Sequence, residues 1–292
     1  MSDSQCALIH TVDGATRLLA IVGDPIAQVK SPLFYNARLA AAGVNAVLVP
    51  WHAREKDFES VMRGLLATAN IDGIVITYPF KQRAMAFASQ LEPMAERVGA
   101  INAMRREKDG SWTGGMFDGL GLLQAVRGLG RSTSGARIKL LGAGGAGSAI
   151  AHALADSGAA SISVHDAAGE KAASLVSTLA KMYPNCRIDA SGPCLGDIDV
   201  LINATPIGLS PDDGLPVPMA DLKGDVAVID IVPRTSTPLL RFAEELGCAH
   251  IGGAAMVEGQ SDIVLGFFNK IAWNGNADRP KAADRHTAEG GL

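Results

Sequence analysis

The sequence predicts an α/β protein of two domains. Three observations carry that prediction. A chain of 292 residues exceeds the usual size of one compact core. Short β-branched runs alternate with helix-like stretches along most of its length, the pattern of a largely parallel sheet. A glycine-rich turn after the strand-like stretch Ile138–Leu141 then opens a second series of such units.

The elements follow in order. "RLLAIVGDPI" reads as a strand ending in a Gly-Asp-Pro turn, and "SPLFYNARLAAAGV" as a helix with proline just inside a serine, a helix-start signal. "NAVLVPWHA" is a second strand, "DFESVMRGLLATAN" a helix opened by an aspartate, and "IDGIVITYPF" a third strand. "KQRAMAFASQLEPMAERVGA" starts as a helix. "INAMRREKDGSWTGG" carries the hairpin signal Asp109-Gly110. The Gly-, Ser- and Arg-rich stretch 126–137 is a break. Beyond it come strand, glycine turn, helix, strand and helix, then strand candidates in "DIDVLINATP", "VAVIDIV" and "AHIGG". "AAMVEGQSDIVLGFFNKIAW" reads as a long helix, and the polar tail from about Asn274 as disordered.

Composition excludes several function classes. The chain is 48% hydrophobic and 19% charged, with a net charge of -4, which provides no basic face for nucleic acid or an anionic membrane. No apolar stretch reaches the roughly 18 residues of a membrane span. The N-terminus lacks the pattern of a signal peptide, and the setting expected is cytoplasmic. Cys6, Cys186, Cys194 and Cys248 are scattered and read as reduced thiols, and the six histidines show no zinc spacing.

Gly142, Gly144 and Gly147 form G-x-G-x-x-G directly after "RIKLL" and at the start of an alanine-rich helix. The next strand, "SISV", ends in His165-Asp166, an acidic residue about 20 residues past the turn, as in the dinucleotide fingerprint of Rossmann domains. The glycines let the backbone approach a pyrophosphate, and the helix N-terminus offers free N–H groups. Asp166 suits a ribose diol and repels a 2'-phosphate, and Ala167 supplies no cation for one. NAD is therefore expected in preference to NADP.

Lys81 lies just beyond the third strand, at the end of a sheet where α/β proteins bind ligands. Flanking Tyr78 and Phe80 would desolvate it. Residue type alone, however, favours an ordinary solvent-facing lysine. Asp118, after two glycines and Met116-Phe117, reads equally as a helix N-cap. Spacing does not show that the two meet.

Seven motifs in order, "GDPIAQVKSPLFYNA", "ITYPFK", "VGAINAM", "GGMFDGLG", "GAGGAGSAIAHAL", "NATPIGL" and "GGAAMVEGQ", resemble those of shikimate/quinate dehydrogenases from about residue 18 to 272. The resemblance implies a substrate domain at 1–117 and a Rossmann domain at 118–254. It also implies a C-terminal helix, 255–274, returning to the first domain, with 275–292 as the tail. It implies hydride transfer between NAD(P) and a ring alcohol of a small carboxylic acid, in a monomer or homodimer. By position, Lys81 and Asp118 resemble the catalytic pair, with Lys81 moving the proton. Ser31, Thr77, Asn102 and Gln260 match substrate contacts. Gly142, Gly144, Gly145, Ala146, Gly147, Asp166, Asn203, Thr205 and Met256 match the cofactor site.

The sequence also departs from the family pattern. Ser-x-Ser-Pro, whose two serines hold the substrate carboxylate in the family, is Val29-Lys30-Ser31-Pro32, the preceding histidine is Gln28, and Asn-x-Thr is Val75-Ile76-Thr77. Asn-Thr before the aspartate is Met116-Phe117, and a tyrosine gives way to Val232. Lys30 reads as a solvated surface lysine. Removing a partner from a charged group costs about 1.5–3 kcal/mol, so two lost contacts weaken shikimate binding by roughly two orders of magnitude. The expectation is family chemistry in an altered pocket, taking shikimate, quinate, an aminated analogue or a less polar ring alcohol. The alternative from another class is a silent NAD-binding sensor, against which the retained Lys81 and Asp118 argue.

Overall fold

The computed structural model describes residues 12–210 and 212–272; the N-terminal stretch with Cys6 and the polar tail lie outside them. The first half builds β1 (Arg17–Gly23), α1 (Ser31–Ala41), β2 (Ala46–His52), α2 (Phe58–Ala67) and β3 (Ile71–Ile76). It continues with β4 (Gln90–Leu91), α3 (Pro93–Val98), β5 (Ala103–Arg106) and β6 (Trp112–Gly115). The second half contains α4 (Asp118–Gly128), β7 (Arg137–Leu141), α5 (Gly145–Asp156), β8 (Ser161–His165), α6 (Gly169–Met182) and β9 (Arg187–Ala190). It ends with β10 (Val200–Asn203), β11 (Ala227–Asp230), α7 (Pro238–Glu245), β12 (His250–Gly252) and α8 (Gly253–Ala272).

Two six-stranded sheets result, in the orders β2-β1-β3-β5-β6-β4 and β12-β11-β10-β7-β8-β9. The second is parallel throughout, with α5, α6 and α7 making the crossovers β7–β8, β8–β9 and β11–β12. The first is mixed: β1 runs parallel to β2 and β3, whereas β5 is antiparallel to β3 and β6. The expected hairpin accounts for the β5–β6 pair. Gly110 at φ +85° closes the turn, Glu107 N donates to Ser111 O at 2.8 Å, and a connection this short permits only an antiparallel pair.

Two local expectations change. Residues 81–98 start as a helix only in the form of a 3₁₀ turn at Arg83–Phe87, followed by β4 and the short α3. Phe80 stacks on Phe58 with centroids 4.1 Å apart, and Phe87 meets Phe58 edge-on, so packing of aromatics under α2 shapes this segment. Strand β9 extends the second sheet from a short half-exposed sequence that carries no strand signal.

The C-terminal helix returns to the first sheet. Val264, Leu265, Phe267 and Phe268 of α8 share one buried cluster with Leu19, Ile21, Val75 and Ala103. Helix α8 also crosses α4 at van der Waals distance: a Cβ on Gly121 would lie 2.6 Å from Met256 O, and one on Gly259 2.8 Å from Gly121 O. This crossing brings the first residue of α4 beside the middle of α8. None of the helices among the described residues is long and apolar enough to cross a membrane.

Candidate active site

Four segments meet where α4 begins. Beyond β3, Phe80 N donates to Thr77 O at 3.0 Å and Ile101 N to Lys81 O at 2.9 Å, fixing the backbone on both sides of Lys81. Asn102 is tied into the sheet edge: its N–H donates to Gly115 O, and its carbonyl accepts from Ile76 N. Asp118 is the first helical residue of α4, but its side chain caps no backbone N–H of the helix. Its carboxylate instead accepts from Lys81 Nζ at one oxygen and from Asn102 Nδ2 at the other, the latter at 2.8 Å. The same Asn102 amide donates to Gln260 Oε1 at 2.9 Å, and its own oxygen accepts from Phe117 N at 2.9 Å.

Every polar atom of the Asn102 side chain is thereby committed, which fixes how Asp118 and Gln260 face each other. The Asp118 side chain is 2% exposed and that of Lys81 16%, so the ion pair is dry on one side and open on the other. A lysine amine and a carboxylate in this arrangement can hold a hydroxyl, and the unprotonated partner can accept its proton. The flanking aromatics do not enclose the lysine as the sequence suggested. Phe80 is fully buried under α2 and Tyr78 is 55% exposed, because the turn after Thr77 sends the two side chains opposite ways.

The remaining substrate candidates lie around this network. Thr77 N donates to Val22 O, and its methyl lies against Gly23. Ser31 is buried at the first position of α1, but the N-cap is Lys30 and the Ser31 hydroxyl caps nothing. Val29 and Phe117 sit partly buried in the cluster that holds Tyr35 and Val75, so the apolar replacements do line this region. Phe117 packs on Phe267 at 5.0 Å. Tyr35, which the sequence did not single out, is buried on the same face of α1 as Ser31; a spacing of four residues was the available signal.

The second sheet provides a cradle that fits a dinucleotide. Gly142 has φ +98°, and a Cβ there would lie 2.7 Å from Ala204 O. A Cβ on Gly147 would lie 2.0 Å from Gly142 O. Only glycine keeps strand, turn and helix this close. Gly144, Gly145, Ala146 and Gly147 carry the N-terminal turn of α5, whose free N–H groups favour a phosphate. Gly145 also adjoins the catalytic candidates, its would-be Cβ 3.6 Å from Lys81 Cβ.

Asp166 accepts from Ala143 N at 2.7 Å and from Ala168 N at 2.9 Å, fixing its carboxylate at the rim of the turn. Asn203 is fully buried and serves the loop from within. It donates to Asp230 Oδ1 and Ile207 O, and accepts from the Thr205 hydroxyl at 2.7 Å. Met256 packs in the core cluster of the second sheet. Among the described residues no group of acidic, histidine and cysteine side chains is placed to hold a metal.

Two family models match the chain: the shikimate dehydrogenase substrate binding domain over residues 21–104, and shikimate/quinate 5-dehydrogenase over residues 124–209. A shikimate dehydrogenase (NADP(+)) of Rubrobacter xylanophilus is 34% identical over 272 residues, covering 91% of this chain and 94% of that one. The chain belongs to the shikimate/quinate dehydrogenase family. It is an oxidoreductase of that family, with a substrate domain and a Rossmann-type domain. The fold is shared with shikimate 5-dehydrogenase of Listeria monocytogenes in complex with shikimate and NAD, at 28% identity and a TM-score of 0.77 over 88% of this chain and 93% of the other. It is also shared with the 5-ketofructose reductase of Gluconobacter sp. strain CHM43, at 26% identity and a TM-score of 0.75 over 87% and 93%.

Proposed function

We propose that the enzyme oxidises a ring hydroxyl of shikimate, quinate or a close analogue, with NAD favoured over NADP. The observation that carries this is the Lys81–Asp118–Asn102–Gln260 network lying directly beside the glycine turn. Lys81 and Asp118 hold the reacting hydroxyl, and Lys81, acting as the neutral amine, takes its proton and becomes the ammonium as the carbon–hydrogen bond breaks and hydride leaves. Asp118 orients the ammonium and balances its charge. Asn102 fixes the rotamer of Asp118, while Gln260, Thr77 and Ser31 contact the other substituents of the ring. Asn203 and Thr205 shape the loop on the cofactor side, and Met256 packs behind it. Bound in the cradle, the nicotinamide supplies the hydride acceptor.

We assign residues 1–117 and 255–274 to the substrate domain and 118–254 to the cofactor domain. The NAD preference rests on Asp166, whose fixed carboxylate meets a ribose 2'-position with negative charge. The Rubrobacter relative is named for NADP, so the assignment is a specific claim about this chain. A second reading is favoured by the apolar side chains Val29 and Phe117 at the site: the physiological substrate is a less polar cyclic alcohol.

Steady-state rates with shikimate and quinate, each against NAD and NADP, test these assignments together. High kcat/KM for either acid supports the first reading. Poor turnover of both acids, alongside efficient turnover of a ring alcohol with fewer oxygens, supports the second. Asp166→Ser is expected to shift the NADP/NAD ratio of kcat/KM toward NADP by about tenfold or more. A wild type that already prefers NADP overturns the role given to Asp166.

A further inference from the structure

We propose that Tyr35 is a substrate-contacting, specificity-determining residue, whose hydroxyl donates to the substrate carboxylate beside Ser31. The inference rests on the family reading above and extends it to a residue outside the matched site positions. Tyr35 is 1% exposed, and no hydrogen bond among the described residues reaches its hydroxyl; unlike His152 Nε2, that oxygen is not sealed in the core but keeps a residual opening. A buried phenol ordinarily has a partner, because stranding one costs about as much as a lost hydrogen bond.

The ring is held from several sides. Leu19, Ile21, Val75 and Val264 pack in its cluster, and Arg38 of α1 bonds Asp262 of α8 at 2.7 Å, tying the two helices together around it. Residues 31 and 35 lie one turn apart on the buried face of α1, and helical side chains lean toward the N-terminus. The Tyr35 hydroxyl is therefore carried toward the turn that bears Ser31, whose own hydroxyl is also uncommitted. Burial and the nearby Asp118 carboxylate push the Tyr35 hydroxyl up, so it stays protonated and acts as a donor at any working pH. No acidic side chain lies in the first turn of α1 to repel a carboxylate. At position 29, where a second hydroxyl donor would stand, the chain has valine. Tyr35 approaches the same ligand from the opposite end of the turn.

Tyr35→Phe removes one oxygen and keeps the ring. With shikimate and quinate as probes, the variant is expected to raise KM for the acid roughly tenfold or more. Expected with it are a kcat within a few-fold of wild type, an unchanged KM for NAD(P) and a melting temperature within about 2 °C. An unchanged KM for the acid overturns the proposal and leaves the family reading standing. A parallel loss of kcat, cofactor affinity and melting temperature also overturns it, because that pattern marks a purely structural tyrosine. If wild type neither turns over nor is thermally stabilised by either acid, the functional reading itself fails and the carboxylate contact with it. That outcome is distinguished because it is visible before any substitution is made.

Discussion

The cofactor cradle and the proposed catalytic network lie side by side but are built in opposite ways. The cradle is local: the turn at 142–147 and its acidic partner Asp166 lie within one strand–helix–strand unit, and its shape depends on what the backbone lacks. The network is remote in sequence, with Asn102 and Gln260 158 positions apart, and its shape depends on what side chains donate and accept. The difference teaches where a substitution acts. In the network, losing a functional group removes chemistry and leaves the chain path. In the cradle, adding an atom moves the chain path itself.

The largest expected effect tests the network side. Lys81→Ala should lower kcat by roughly 10²–10⁴, the usual contribution of a positioned acid–base group. Cofactor affinity, read by fluorescence titration of NADH, should stay within a few-fold. The cradle approaches Lys81 through Gly145, and a smaller side chain at position 81 introduces no clash there. A kcat within tenfold of wild type would remove Lys81 from the chemistry and make the network a structural one.

Next in size is a test of the cradle. Gly147→Ala places a Cβ 2.0 Å from Gly142 O, a separation the turn resolves only by opening. KM for the cofactor should rise tenfold or more, while KM for the acid changes less. Equal rises in both would mean that the cradle and network are one mechanical unit.

How much of this was legible in the sequence follows the same divide. The cradle could be read directly, because strand, glycines, helix and Asp166 follow one another in a fixed spacing. Lys81 and Asp118 could be named only through the family resemblance, since no periodicity links residues 81, 102, 118 and 260. Phe80 shows the cost of judging a turn by its neighbours in sequence. It reads as a wall beside Lys81, but the hydrogen bonds from Phe80 N to Thr77 O and from Ala84 N to Phe80 O curl the chain and send the ring under α2. The antiparallel β5–β6 pair was signalled by Asp109-Gly110, whereas the antiparallel β3–β5 pair had no local signal amid the βα alternation. Tyr35 was hidden for another reason: a tyrosine amid apolar helix positions looks like core until its hydroxyl is seen to lack a partner.

Asp230 allows the smallest and sharpest test, because it serves the cofactor side yet is held as the network is. It is fully buried and accepts from Asn203 Nδ2 at 2.9 Å, Val232 N at 3.1 Å and Thr237 Oγ1 at 2.6 Å. Burial raises its pKa above the ordinary carboxylate range, and the three donors only partly offset that rise. The folded state therefore holds this proton more tightly than the unfolded chain does. The resulting stabilisation is complete below the unfolded pKa of about 3.9 and is lost as pH rises through the folded value. Asp230→Asn carries no such charge. Its melting temperature relative to wild type should accordingly move in the variant's favour as pH rises from about 4 toward neutrality, as followed by calorimetry. A gap that stays constant with pH would mean that the three donors fully compensate burial. Asp230 would then contribute no pH dependence to stability despite its burial.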